Sequence, residues 1–466
     1  MNRTPRAGGK KSSAAPRSHS ARRNARREEP LTLDKALEKS MGEALTFEKP
    51  ADRLLSDFFR AHKGLGRRDR GMIADRIFDA IRQRRLYAHL AESGAGSIAR
   101  RMALIADAAQ PQSIMRTSPD EQAWLASLTK IDRATLGLAI QYSLPDWLLE
   151  GLQAQDIPQG LAVLAESLLQ PAALDVRANL LKTDAEGLKQ SLDKESVTAS
   201  GFADGALSEA ATALRIQGHP AIERLDCFAA GHFEVQDAGS QWVAHRAGAK
   251  RGQTVVDFCA GAGGKTLAMA AMMRGSGQIY ACDTSLPRLS RLKPRLARSG
   301  ATNVQPMHIE SEHDKRLRKI RGRVDLVLVD APCSGTGTLR RNPDLKWRQQ
   351  GLGLIRLAKL QQSILTEAAR LLKPGGRLVY VTCSLLEQEN EAVAAGFEAS
   401  EEFASLGLAR LDMSRPGNKL AADGGGTSDR AVSAGDSGES TGFVRLWPHL
   451  EDSDGFFIAG WLRQSG

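Results

Sequence analysis

The chain of 466 residues has only five cysteines, Cys227, Cys259, Cys282, Cys333 and Cys383, and none of them forms a C-x-x-C pair. That spacing argues against a structural zinc site, and an odd number of thiols argues against a disulfide framework. Long apolar runs are also missing, so no segment reads as a bilayer-spanning helix. The N-terminus is basic and Ser-rich without an apolar stretch, which excludes a secretory signal and predicts a cytoplasmic chain with reduced thiols. Aromatic residues make up 5%, too few for a surface that grips a long single strand by stacking its bases. What is there, 42% hydrophobic and 25% charged residues, is the profile of a soluble globular protein with room for roughly two to four domains.

The formal net charge of +10 is unevenly placed. Residues 1–27 hold nine Lys or Arg and no acid, which leaves +1 for everything after them. A nearly neutral body with a basic arm suits a polyanionic partner, although a solubilising tail has the same composition. A second cluster lies far from the arm. Arg288, Arg291, Lys293, Arg295, Arg298, Lys315, Arg316, Arg318, Lys319, Arg321 and Arg323 place eleven cations within 36 residues. This density predicts an RNA-facing edge whose phosphate contacts position the substrate without reading it.

Composition and periodicity divide the chain. Residues 1–30 cannot bury a core and read as a disordered basic tail. Over 31–165 apolar positions recur at helical spacing, with Leu54, Leu55, Phe58 and Phe59 on one face and Ile73, Ile77, Phe78 and Ile81 on another. Further helices are expected over Leu136–Tyr142 and Trp147–Leu152. Residues 166–235 carry one strand-like piece, Leu174–Leu180, and a helix after Thr183, a small α+β module. From 236 to 466, β-branched runs alternate with helical stretches: Thr254–Phe258, Gln278–Cys282, Val304–Ile309, Val324–Val329 and Arg377–Thr382. Such alternation predicts βαβ units and a parallel sheet. The Gly/Ser/Asp-rich stretch 414–442 interrupts the pattern as a flexible insertion, and Phe456–Trp461 is expected to return to the sheet.

The strand Thr254–Phe258 runs into Cys259-Ala-Gly-Ala-Gly-Gly-Lys-Thr266, with a helix after it. Glycines at a strand-to-helix turn let the backbone approach a ligand. A triphosphate-binding P-loop needs Gly where Cys259 stands, and a dinucleotide fingerprint needs Gly where Thr266 stands, so both fail. S-adenosylmethionine needs a glycine turn without a phosphate clamp and an acid at the end of the next strand, where Asp283 sits to accept ribose hydroxyls. Asp257 and Asp330 also close apolar strands, at the rim where open α/β sheets place ligands.

Two later strands lead into thiols: Asp330-Ala-Pro-Cys333-Ser-Gly and Thr382-Cys383-Ser384. Carbon 5 of cytosine is not nucleophilic by itself. A thiolate adding to carbon 6 makes an enamine whose carbon 5 can take a methyl group, after which a proton leaves carbon 5 and the thiolate is expelled. Cys227 and Cys282 read as buried hydrophobes, and Cys259 as packing beside the glycine turn. The polar flanks and strand-end positions of Cys333 and Cys383 favour chemistry.

Asp257–Thr266, Asp330–Gly335 and Thr382–Ser384 together resemble the Sun-type RNA (cytosine-5) methyltransferases. Val235-Gln-Asp-Ala-Gly-Ser-Gln241, Arg340-Arg-Asn-Pro-Asp344, Glu389-Asn-Glu391 and Asp454-Gly-Phe-Phe457 agree in order over about 230 residues. The resemblance implies an α/β Rossmann-like class I methyltransferase domain, a small α+β RNA-binding module before it, and an all-α N-terminal domain similar to an antitermination factor. It implies Cys383 as nucleophile, Cys333 as the group that assists product release, Asp330 on the cytosine ring nitrogen and amino group, and Lys265 near the reacting base. The implied cofactor set is Asp257, Cys259, Ala260, Gly261, Ala262, Gly263, Gly264, Lys265, Asp283, Arg288, Glu310 and Asp330, with no metal. The family's Asp after the third strand is replaced by His308-Ile-Glu310-Ser-Glu-His-Asp314, so either Glu310 or Asp314 meets the adenine. The implied substrate is small-subunit ribosomal RNA, flipped at one cytosine, and the implied state is a monomer with no obligate protein partner. The alternatives are a transfer RNA enzyme, a DNA cytosine methyltransferase, and a non-catalytic ribosome-assembly factor that keeps the fold.

Overall fold

The computed structural model describes residues 31–349, 351–414, 432–433 and 442–465. The expected basic tail, and nearly all of the Gly/Ser/Asp-rich stretch, lie outside the described residues.

The first helices are Leu33–Ala44, Ala51–Ala61, Arg67–Arg82, Arg84–Leu90, Ile98–Ala108 and Pro119–Leu128. Their apolar stripes meet in one core, where Leu54, Leu55, Phe58, Ile73, Ile77 and Ile81 are buried and Phe59 and Phe78 pack at its margin. The start of Pro119–Leu128 is fixed by a capping box, in which Ser118 accepts from the Glu121 amide and Glu121 accepts from the Ser118 amide. The helices Leu138–Gln141, Asp146–Gln153 and Leu161–Leu168 follow. They feed a separate apolar cluster, in which Leu144, Leu148, Leu152 and Leu164 pack against Leu339, Leu385, Leu386 and Trp447. The later helices therefore buttress the loops that carry the two candidate cysteines.

A small antiparallel sheet comes next: β1 (Leu174–Ala178), β2 (Ala199–Ser200), β3 (Ala213–Ile216) and β4 (Phe233–Val235), in the order β2-β3-β1-β4. Helix Ala185–Lys194, capped by Asp184, buries Leu188 and Leu192 in the same core.

The large sheet holds β5 (Thr254–Asp257), β6 (Gln278–Asp283), β7 (Val304–His308), β8 (Val324–Asp330), β9 (Leu372–Thr382), β10 (Leu408–Arg410), β11 (Val432–Ser433), β12 (Val444–Leu446) and β13 (Phe456–Arg463). Strands β7, β6, β5, β8 and β9 are neighbours in that order and parallel, β13 lies antiparallel to β9, and β12 and β10 pair with β13. In β8, Leu326, Val327, Leu328 and Val329 are all fully buried, because a central parallel strand is covered on both faces. The fold is the expected Rossmann-like one. Strand order reverses at β5, with β6 and β7 to one side and β8 and β9 to the other, and this opens a crevice at the carboxyl ends of the strands.

Candidate active site

Asp257, Asp283 and Asp330 are the last residues of β5, β6 and β8, and Cys383 follows the last residue of β9. The sheet thus brings together residues separated by more than a hundred positions.

On the β5–β6 side the glycine turn does most of the work. Gly261 and Gly263 have φ of +55° and +84°, values that side chains rarely adopt. A Cβ on Gly261 would meet nothing within 4 Å, so the turn faces open space, whereas one on Gly263 would lie 2.2 Å from Leu292 Cδ1. Ala260 and Ala262 complete the turn, and Gly264 begins the helix Gly264–Met272. The buried Asp283 carboxylate accepts the Gly261 N–H at 2.7 Å and the Ser285 N–H at 2.6 Å. Each oxygen keeps a lone pair for a ribose hydroxyl. Asp257 is buried and takes the Thr266 hydroxyl at 2.6 Å on one oxygen, and its other oxygen has no partner. Burial pushes its pKa up to about 7. An open glycine turn, a carboxylate presented through two amides and a half-satisfied acid fit S-adenosylmethionine.

Beyond β7, Asp314 caps the short helix Lys315–Arg318 and accepts the Glu310 N–H at 2.9 Å. Its hydrogen bonds with Arg316 hold it well below the ordinary carboxylate range. The Glu310 side chain is exposed at the strand end. Arg288 is also exposed, in the first helix after Asp283. Cys259 packs against the core with its thiol pushed up by burial, and Cys227 and Cys282 are buried.

On the β8–β9 side the groups are side chains. Lys265 Nζ lies 2.8 Å from Asp330 Oδ2 and 5.0 Å from the centre of the Phe456 ring. Burial alone lowers a lysine pKa, but the Asp330 charge outweighs it, and Lys265 stays cationic. Cys333 Sγ and Cys383 Sγ are 3.4 Å apart, both half-buried. The Cys333 thiol is held well above its ordinary value, first by its hydrogen bond with Cys383 and then by burial. Gly337 N donates to Cys383 O at 2.9 Å, and Gly455 N donates to Gly337 O at 2.8 Å, so three loops are laced together. Arg341 reaches Asp237 at 3.2 Å and Asp454 at 3.3 Å, joining the three short motifs around residues 235–241, 340–344 and 454–457. Gln361 behind the cysteine loops carries no signal in the sequence, since a glutamine in a helix reads as ordinary packing; Phe456 belongs to the Asp454–Phe457 motif, which does not reveal its place beneath Lys265.

Trp347, just past the Arg340–Asp344 loop, packs against the first helical core, with Nε1 donating to Ile81 O at 2.8 Å. In the cationic cluster Arg295 and Arg298 are tied to Glu234, Arg316 to Asp314 and Arg321 to Glu367. Arg288, Arg291, Lys293, Lys315, Arg318, Lys319 and Arg323 remain exposed.

The profile of the 16S rRNA methyltransferase RsmB/F family matches residues 247–462. A probable ribosomal RNA small subunit methyltransferase B from Synechocystis is 36% identical over 334 residues, covering 71% of this chain and 69% of that protein. The chain belongs to the RsmB/F family. It is a methyltransferase. A 28S rRNA (cytosine(4447)-C(5))-methyltransferase from Homo sapiens is 32% identical over 333 residues, which span 71% of this chain and 39% of that protein. The crystal structure of PH0851 superposes with a TM-score of 0.72 at 24% identity, over 93% of this chain and 98% of that one, and shares the fold. Among the described residues, no helix of this RsmB/F family member is long and apolar enough to cross a membrane.

Proposed function

We propose that the chain methylates carbon 5 of one cytosine in small-subunit ribosomal RNA through a covalent adduct on Cys383. The observation that carries the reading is the pair of thiols 3.4 Å apart beside the Lys265–Asp330 pair, on the far side of the crevice from Asp283. The 16S rRNA in the family's name and the cytosine carbon 5 in the name of the human relative point the same way.

Bound S-adenosylmethionine supplies an electrophilic methyl group. Asp257, Asp283, Glu310 and the turn Cys259–Lys265 hold it, with Arg288 at the rim. Glu310 is preferred to Asp314 because the Asp314 carboxylate is already engaged by the Glu310 amide and Arg316. The Cys383 thiolate adds to carbon 6 of the flipped cytosine, and the electron pair of the 5,6 double bond moves towards carbon 5 and the ring nitrogen. Asp330 accepts from the exocyclic amino group and Lys265 offsets the charge that develops on the ring. After carbon 5 has gained the methyl group it gives up its proton to solvent, and the pair of the broken C–H bond restores the 5,6 double bond and expels Cys383 as thiolate. Cys333 touches the nucleophile and assists this last step. The exposed cations from Arg288 to Arg323 hold RNA phosphates, and the chain acts as a monomer without an obligate protein partner.

Trapping on RNA that contains 5-azacytidine tests the reading. Wild type and Cys333→Ala are expected to form a stable adduct, and Cys383→Ala none. An adduct that depends on Cys333 instead would exchange the two roles. No adduct with ribosomal or transfer RNA would remove the covalent reading.

A further inference from the structure

Behind the thiols lies a carboxylate that the mechanism above does not use. Glu389 is fully buried, and no cation lies within ion-pair distance of it among the described residues. A buried unpaired carboxylate costs several kcal/mol unless hydrogen bonds compensate it. Its compensation is specific. Oε1 accepts the Ser334 N–H at 2.8 Å and the Gln361 side-chain amide at 3.2 Å, and Oε2 accepts the Ser384 hydroxyl at 2.6 Å. Ser334 and Ser384 are the residues that follow Cys333 and Cys383. Gln361 also donates to the carbonyl of Pro332, the residue before Cys333, at 2.9 Å. The two serine hydroxyls are 3.1 Å apart, and Thr336 lies 3.3 Å from each. Ser334, Thr336, Gln361, Ser384 and Glu389 are all buried, so water does not compete for these bonds.

We infer that Glu389 is a positioning residue, a buried anchor shared by the two cysteine loops that sets them in register and holds their thiols in contact. It touches neither substrate nor donor. The inference rests on the reading above only in so far as both thiols take part in the reaction. The negative charge has a second consequence. It disfavours a second anion nearby and helps to keep the proton on Cys333.

Diamide, which takes two hydrogens from a thiol pair as their S–S bond forms, measures the register without any methyl transfer. The Cys333–Cys383 cross-link is followed by mass spectrometry of peptides, beside single-turnover methylation and S-adenosylmethionine binding. Glu389→Ala is expected to slow cross-linking about tenfold and methylation about 100-fold, because misplacing a reacting group by an ångström has effects of that order. Donor binding stays at the wild-type value. Glu389→Gln can still accept from Ser334 and contact Ser384, so it is expected to cross-link at the wild-type rate. Its methylation profile shifts to lower pH, since Cys333 gives up its proton more readily without the neighbouring charge. Wild-type cross-linking and methylation in Glu389→Ala would overturn the inference. Should that variant not fold, wild-type cross-linking in Ser384→Ala together with an unshifted pH profile in Glu389→Gln would overturn it equally. A wild type that forms no azacytidine adduct defeats the proposed function, while the cross-linking rates still report on Glu389.

Discussion

The two sides of the crevice are built differently. The β5–β6 side is made of backbone: a glycine turn, two amides on Asp283, and residues from one stretch of about thirty positions. The β8–β9 side is made of side chains from distant parts of the chain. Cys333 and Cys383 come from loops fifty residues apart, Glu389 and Gln361 hold them from behind, and the helices Asp146–Gln153 and Leu161–Leu168 support them from below. A site built on a turn fails when its glycines, or the one acid they present, change. A side-chain site fails when any of several remote supports is lost.

The contrast can be broken in order of effect. Cys383→Ala is expected to lower methylation on the order of 10⁴-fold or more, with donor binding unchanged, as removal of a nucleophile does elsewhere; isothermal titration and single-turnover kinetics separate the two. Asp283→Ala acts on the other side. It is expected to weaken S-adenosylmethionine binding by about 10- to 100-fold through hydrogen bonds lost to a charged acceptor, while azacytidine adducts still form. If Asp283→Ala abolished the adduct as well, the two sides would not be separable.

Gly263→Ala strains the turn, since its Cβ would meet Leu292 at 2.2 Å in a backbone with φ of +84°. A loss of about 1–3 kcal/mol in folding stability is expected by urea unfolding, and Gly261→Ala, which meets open space, should lose less stability but block the donor.

The smallest effect concerns a support of the cysteine side. Lys346 follows the first cysteine loop, is buried, and donates to Arg82 O of the helical core at 2.9 Å. Burial, reinforced by the Arg82 charge, lowers its pKa to about 7. The unfolded chain keeps an ordinary lysine, so between pH 7 and the ordinary lysine range it binds more protons than the folded one, and stability rises with pH across that window. Below pH 7 both states are protonated and the contribution is flat. Urea midpoints at pH 7 and pH 9 should differ more for wild type than for Lys346→Met; equal differences would remove this support from the comparison.

How far each side was legible follows from the same contrast. The turn Asp257–Thr266 and the acid Asp283 lie close in sequence, so their spacing already describes the local geometry. The cysteines were legible only as strand-end thiols. Their contact depends on β8 and β9 being neighbours, and their register on Glu389, whose motif with Asn390 and Glu391 shows in the sequence but whose bonds to both loops do not. Arg295 shows the opposite failure: an arginine in a basic cluster suggests RNA, and it is tied inside the protein to Glu234. The preference for Glu310 over Asp314 in the proposed donor site rests on the helix cap that occupies the Asp314 carboxylate.

The sequence by itself determined the alternating strands and helices, the glycine turn and the acids at strand ends, because these depend on hydrophobic period and on conformational freedom a few residues long. Tertiary structure decided which thiol meets which, which cations are tied to internal acids and which carboxylate is taken up by a helix cap, because those outcomes depend on the order of strands in the sheet and on partners brought together only when the core closes.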